Sequence, residues 1–370
     1  MPRITDLPEI VAALDAAAAA RVVRLFHIER VEGRCVIPPS MREWTSRQLG
    51  SIESVERQTV VRVVNRVTWD GALYNPLRNK RPQRHAAPEA PVDEVDLFAQ
   101  PLQTTAEDVF GRVRGEHCVT AGNPARWDGQ CAVQIFDEPD PLRFTAAHLR
   151  DYFRTALTWA RAAHEQDEQA RYFIWMWNGG PRGGASIRHA HAQLALGRGM
   201  HYARFEALRR AACEYRVQHG ANFFEDMLAA HDDLGLGFEA GALRGFVHAA
   251  AMRPKDAWIF GASSVPDDAL ADAFAATLRA LIERTGTAAF DAVVCAPPLF
   301  AGASEDWSGF PCFARIVDRG SPSMVSSDIG AIDLFAHNSI GADPFAVREE
   351  ILICPKLRMH PWTLRMTEHD

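Results

Sequence analysis

The chain predicts an α+β fold, a largely antiparallel sheet flanked by helices and built from two tandem copies of one unit. Three observations carry this. The order strand, strand, helix, strand, strand can be followed from residue 118 to residue 196. A weaker copy of the same order recurs from residue 245 to residue 316. Between the last two strands of the first copy, a glycine-dense turn joins a continuous apolar run to an alternating one, as in an antiparallel pair.

The segment 1–60 reads as a helical extension, with an alanine-rich helix at Ala13–Ala20 interrupted by Asp15 and followed by Arg21. The first unit spans 61–200. Val60–Trp69 reads as a strand, Tyr74–His85 is a basic cluster in an acidic chain, and the proline-rich Ala86–Val95 reads as a linker. Cys118–Pro124 and Gly129–Phe136 read as paired strands. Thr145 can cap the following helix, whose Leu149, Phe153, Leu157 and Ala160 form one stripe. Tyr172–Trp177 is a buried strand by its apolar run. The second unit spans 201–370, with strands near Gly245–Ala249, Ala257–Gly261, Ala289–Cys295 and Phe310–Ile316 and a helix over Asp268–Arg284.

The chemistry concentrates at residues 178–193. His189, His191 and Gln193 alternate in Ile187–Leu196, so on a strand they share one face at steps of about 6.6 Å, opposite the small apolar Ala190, Ala192 and Leu194. The preceding Asn178–Ser186 stretch holds four glycines, which permit positive φ and close approach of backbone N–H groups to phosphate oxygens. A neutral imidazole attacks phosphorus readily and leaves again readily, which divides one hard displacement into two easier ones. Two histidines on one strand face can also ligate a metal, but a third ligand is needed. The chain has neither Cys-x-x-Cys nor His-Glu-x-x-His.

The run Asn-x-Gly…Gly-Ala-Ser-x-x-His-Ala-His-Ala-Gln resembles the active-site strand of the galactose-1-phosphate uridylyltransferase-like branch of the histidine-triad (HIT) superfamily. The resemblance implies tandem HIT-like repeats over roughly residues 70–355, the second without its histidines. It implies His191 as the nucleophile of a covalent nucleotidyl-histidine, Gln193 as the donor to phosphoryl oxygens, and Ser186 as a contact to the leaving phosphate. Asn178 and Gly184 would shape the pocket, and His189 would orient it. Arg78-x-Lys80-Arg81-Pro82 resembles the segment whose arginines grip substrate phosphates, so Arg78 and Arg81 are expected phosphate binders. Asn123, ahead of a proline, would line the nucleoside pocket, and Asp333 and Asn338 would reach the acceptor.

The implied activity is nucleotidyl transfer by a ping-pong route, from a nucleotide or sugar-nucleotide donor to a sugar 1-phosphate or orthophosphate. A dinucleoside polyphosphate phosphorylase or hydrolase would use the same residues. A nucleotide-binding protein without turnover is the alternative from another class. Zinc-binding members use a Cys-x-x-Cys, a further histidine and the first motif histidine; the cysteine pair is missing here, so no structural zinc is expected. The iron-site histidines of the family have no clear match either. No other cofactor is implied beyond a divalent cation accompanying the nucleotide.

At 370 residues with 47% hydrophobic and 24% charged content, the chain can bury a large core. A net charge of −7 argues against broad nucleic-acid binding, so any phosphate site must be local. Seven scattered cysteines point to reduced thiols and a cytoplasmic setting, and no apolar run suggests a membrane partner. A homodimer is compatible with this reading.

Overall fold

The computed structural model describes residues 2–80, 95–327 and 329–359. Its strands, in chain order, begin with β1 (Phe26–Arg34), β2 (Arg57–Asn65), β3 (Gly71–Tyr74), β4 (Cys118–Gly122) and β5 (Cys131–Phe136). They continue with β6 (Ala170–Gly179), β7 (His191–Arg198), β8 (Gly237–Ala240), β9 (Leu243–Val247) and β10 (Ala257–Phe260). The last are β11 (Phe290–Cys295), β12 (Phe313–Asp318), β13 (Asn338–Ile340) and β14 (Leu357–Arg358).

Two sheets result. A ten-stranded sheet runs β14-β8-β9-β10-β12-β11-β6-β7-β5-β4, antiparallel throughout. Strands β4, β5, β7 and β6 lie in the same relative order as β9, β10, β12 and β11, and the two sets meet where β6 pairs with β11. A small sheet, β1-β2-β3-β13, closes with a parallel pairing of β13 on β3. Residues 26–34, expected within a helical extension, are therefore a nine-residue strand paired along its whole length with β2. Helices do occupy Leu7–Ala13, Ala16–Leu25, Arg42–Gln48 and Ile52–Glu56 around it. The charged residues His27, Glu29, Arg30 and Glu32 hide the alternation of that strand, and they are tolerated because most of it faces water.

One face of the large sheet packs on two long helices, Ala146–Gln166 and Asp268–Thr285. The first starts where the Thr145 hydroxyl accepts from the His148 N–H. The second starts at Asp267, whose carboxylate accepts from the Leu270 N–H, and ends at Gly286 with φ +69. Their apolar stripes meet Trp175, Trp177, Ala192 and Leu194, all at most 1% exposed. Full burial of one such Leu contributes about 2 kcal/mol. Over the second half of the sheet, the opposite face is filled by Phe246, Trp258, Phe260 and Phe313. These pack against the helix Phe223–Asp233 and the N-terminal helices and small sheet. On the corresponding face of the first half, strand β7 turns up His191 and Gln193 instead. Among the described residues, no helix is long and apolar enough to cross a membrane.

Candidate active site

Strand β7 begins at His191, not before it. His191 pairs with Ile135 and Gln193 with Val133, so both project from the same face as expected. His189 does not sit on the strand. Residues 185–190 are irregular, and the chain is held there by Ala190 N–H donating to Pro139 O (2.9 Å) and Phe136 N–H donating to Ala190 O (3.2 Å). The strict three-residue alternation fails because the chain must descend from the glycine turn before the ladder can start.

The geometry around His191 sets its tautomer. Nδ1 lies 2.7 Å from the carbonyl oxygen of His189, which only accepts, so Nδ1 carries the proton and Nε2 keeps its lone pair. Nε2 has no hydrogen-bond partner among the described residues. His191 is only 5% exposed, and burial pushes its basicity below the usual histidine range, partly offset by the His189 carbonyl bond. At neutral pH this imidazole is uncharged and nucleophilic.

His189 is anchored on both sides. Its Nδ1 meets Asp96 Oδ2 at 2.8 Å and its Nε2 meets the Phe136 carbonyl at 2.7 Å. Burial raises the Asp96 carboxyl, but the bonds from His189 and from backbone N–H groups outweigh it and hold the group below the usual aspartate range. Phe98, two residues on, sets its ring edge-on to both imidazoles, with centroids 6.1 Å from His189 and 5.1 Å from His191. Gln193 is oriented by a residue the sequence did not single out. Trp127 Nε1 lies 2.9 Å from Gln193 Oε1, and an indole N–H can only donate, so the Gln193 NH₂ is left facing elsewhere as a donor.

The glycine turn differs from the expected phosphate cradle. The N–H groups of Gly180, Gly183, Gly184 and Ala185 all donate to carbonyls within the turn itself. Gly180 and Gly184 have φ of +87 and +96, and a Cβ on Gly183 would lie 2.5 Å from the Phe290 carbonyl. These glycines serve chain reversal and close packing on β11. Asn178 does lie beside Gly184 in this turn, and Ser186 is exposed on the segment leading to His189.

The remaining expected residues sit on other elements. Asn123, in the β4–β5 turn with Trp127, uses its side-chain oxygen to accept from Ala125 N–H at 3.0 Å. Arg78 lies half-buried in the short turn Pro76–Lys80 after β3, while Arg81 falls outside the described residues. Asp333 and Asn338 do not present free side chains to an acceptor. Asp333 accepts from the N–H groups of Gly330 (2.9 Å) and Ser339 (3.0 Å), and Asn338 bridges Arg253 (3.1 Å) and the Gly71 carbonyl (3.1 Å). Within the small sheet these bonds tie β13 to β3, to Arg253 and to the turn that starts at Gly330. Asp96, Phe98 and Trp127 carried no local signal, because each reaches the histidine strand only through the tertiary fold.

No protein-family model matches the chain, and no curated protein matches it. Among solved structures it is similar to an ADP-glucose phosphorylase from Arabidopsis thaliana with bound ADP-glucose, with TM-score 0.60 and 16% identity over 78% of this chain and 97% of that one. It is similar to a uridylyltransferase with TM-score 0.56 and 18% identity, over 74% of this chain and 93% of that one. A GALT-like protein from Arabidopsis thaliana gives TM-score 0.54 and 14% identity, over 77% and 95%. The chain has the galactose-1-phosphate uridylyltransferase-like fold. Within that fold the α+β architecture, with its antiparallel sheet and flanking helices, is the one the strand order predicted.

Proposed function

We propose that this protein is a nucleotidyltransferase that works through a covalent nucleotidyl-His191. It moves a nucleoside monophosphate between a sugar nucleotide and a phosphorylated acceptor, either orthophosphate or a sugar 1-phosphate. The single observation that carries this reading is the locked tautomer of His191, with Nδ1 on the His189 carbonyl and the Nε2 lone pair unengaged in a buried ring. The fold shared with an ADP-glucose phosphorylase and a uridylyltransferase supports it.

In the first half-reaction Nε2 attacks the α-phosphorus, a P–N bond forms, and the P–O bond to the sugar phosphate breaks. In the second, an oxygen of the acceptor phosphate attacks the same phosphorus and the P–N bond breaks. The Gln193 NH₂, held by Trp127, donates to the phosphoryl oxygens as charge develops on them. Ser186 and Asn178 contact the leaving phosphate from the glycine turn. Arg78 supplies charge to the phosphates from the end of β3, and the seven free thiols suit a cytoplasmic setting.

Isotope exchange tests the reading. With a nucleoside diphosphate-sugar and labelled sugar 1-phosphate as the only reactants, a ping-pong enzyme moves label into the sugar nucleotide, since the first half-reaction is reversible. ADP-, UDP-, GDP- and CDP-sugars are tried in parallel. Binding of a sugar nucleotide with no exchange and no turnover in the presence of orthophosphate would establish a non-catalytic binder instead.

A further inference from the structure

The strand ladder that holds β7 starts at His191, so the carbonyl of His189, which fixes the nucleophile's tautomer, is not held by sheet pairing. Its direction depends on what pins residue 189. The backbone bonds in this stretch belong to Ala190, which leaves the His189 side chain as the local anchor. That anchor has two ends, the Phe136 carbonyl at 2.7 Å and the Asp96 carboxylate at 2.8 Å. Asp96 is itself fixed, because Oδ1 accepts from the Phe98 N–H at 2.9 Å and its carbonyl accepts from the Ala99 N–H at 3.2 Å. The same short segment seats Phe98 edge-on against both imidazoles.

We infer that Asp96 is a positioning residue for the nucleophile, acting through His189 to keep Nδ1 of His191 protonated and its Nε2 free. The inference rests on the reading of His191 as nucleophile. It concerns the resting protein, however, and can be measured without any substrate. It also assigns the His189 ring. Nδ1 is turned to the Asp96 carboxylate and Nε2 to the Phe136 carbonyl, so both ring nitrogens are already engaged with protein oxygens and neither is aimed at an open position where a metal ion could sit. Among the described residues no group of three His, Cys, Asp or Glu side chains is arranged to hold one. Among the described residues, the first motif histidine is thus held by a carboxylate and a carbonyl and not within a group of metal ligands. A carboxylate performs the anchoring here.

The test uses the full chain labelled with ¹⁵N at histidine. The His191 ring nitrogens in the wild type should report the Nδ1–H tautomer almost alone. In Asp96→Ala the tautomers should mix, and adduct formation from a sugar nucleotide should slow roughly 10- to 100-fold, with KM within about twofold of wild type. Asp96→Glu should recover the wild-type tautomer and most of the rate. If Asp96→Ala does not fold, Asp96→Asn, which keeps the shape and an accepting oxygen, should fall between the two. Purified protein should carry substoichiometric zinc. An unchanged His191 tautomer in Asp96→Ala and Asp96→Asn overturns the inference, as does stoichiometric zinc that His189→Ala releases. A wild type with the expected tautomer but no adduct would remove the proposed reaction and leave the positioning intact.

Discussion

Trp127→Phe removes one N–H and leaves a ring of similar shape, so it isolates the indole's bond to Gln193. That bond is 2.9 Å long and connects the β4–β5 turn to the face of β7 that carries His191. Trp127 is 43% exposed, so substituting Phe should scarcely disturb the core. A neutral hydrogen bond of this kind contributes about 1 kcal/mol net. Without it the Gln193 amide loses about 1 kcal/mol of the bonding that holds its NH₂ toward the phosphate, and the rate of nucleotidyl transfer to His191 should drop roughly fivefold. Deleting the donor itself, with Gln193→Ala, should slow the same step on the order of 10²-fold, as for loss of a preorganised oxyanion donor. The assay is rapid-quench adduct formation in both single variants and the double variant. Because Trp127 acts through Gln193, the double variant should be no slower than Gln193→Ala alone, giving a coupling energy of about 1 kcal/mol. Additive losses would refute the reasoning and assign Trp127 a contact of its own.

Three further outcomes follow from the same structure. His191 titrates below its ordinary pKa of 6.5, so its neutral nucleophilic form persists to lower pH; the acid limb of adduct formation should have its midpoint below 6.5, and a midpoint above it contradicts the burial argument. Burial also lowers His201 to about 4, and His231 and His248 well below 6.5, so the unfolded chain binds protons that the folded chain refuses. Stability should therefore fall as pH drops from 6.5 toward 4, by on the order of 3 kcal/mol from His201 alone, and a urea midpoint that is flat or rising over that range would contradict this. Leu194→Ala, at a position with 0% exposure under the long helices, should cost about 3 kcal/mol in urea denaturation, and a loss under 1 kcal/mol would show that the sheet–helix interface can close the cavity.

How much of this was legible beforehand differs by element. Apolar runs with clear periods, such as Tyr172–Trp177 and the stripe after Thr145, were readable because burial on a sheet or under a helix selects residues locally. Strand β1 was not, since its exposed, charged positions follow water rather than a core. His191 and Gln193 were legible because their face follows from alternation alone. The alternation does not place His189, which precedes the strand, because where a ladder begins depends on its partner strand. A glycine-dense turn before a histidine strand suggests a phosphate site, whereas Gly183 answers to the Phe290 carbonyl more than a hundred residues away. Asp96 and Trp127 were invisible for the same reason. Each is an ordinary loop residue until the fold places its side chain on the histidine strand.

Phosphorus NMR of the isolated protein after brief exposure to a sugar nucleotide, followed by peptide mapping, tests the central claim most directly. The account predicts a phosphoramidate signal that disappears in acid, maps to His191, and is absent in His191→Gly. Turnover by the wild type with no such signal, or a signal mapping to any other residue, would contradict it.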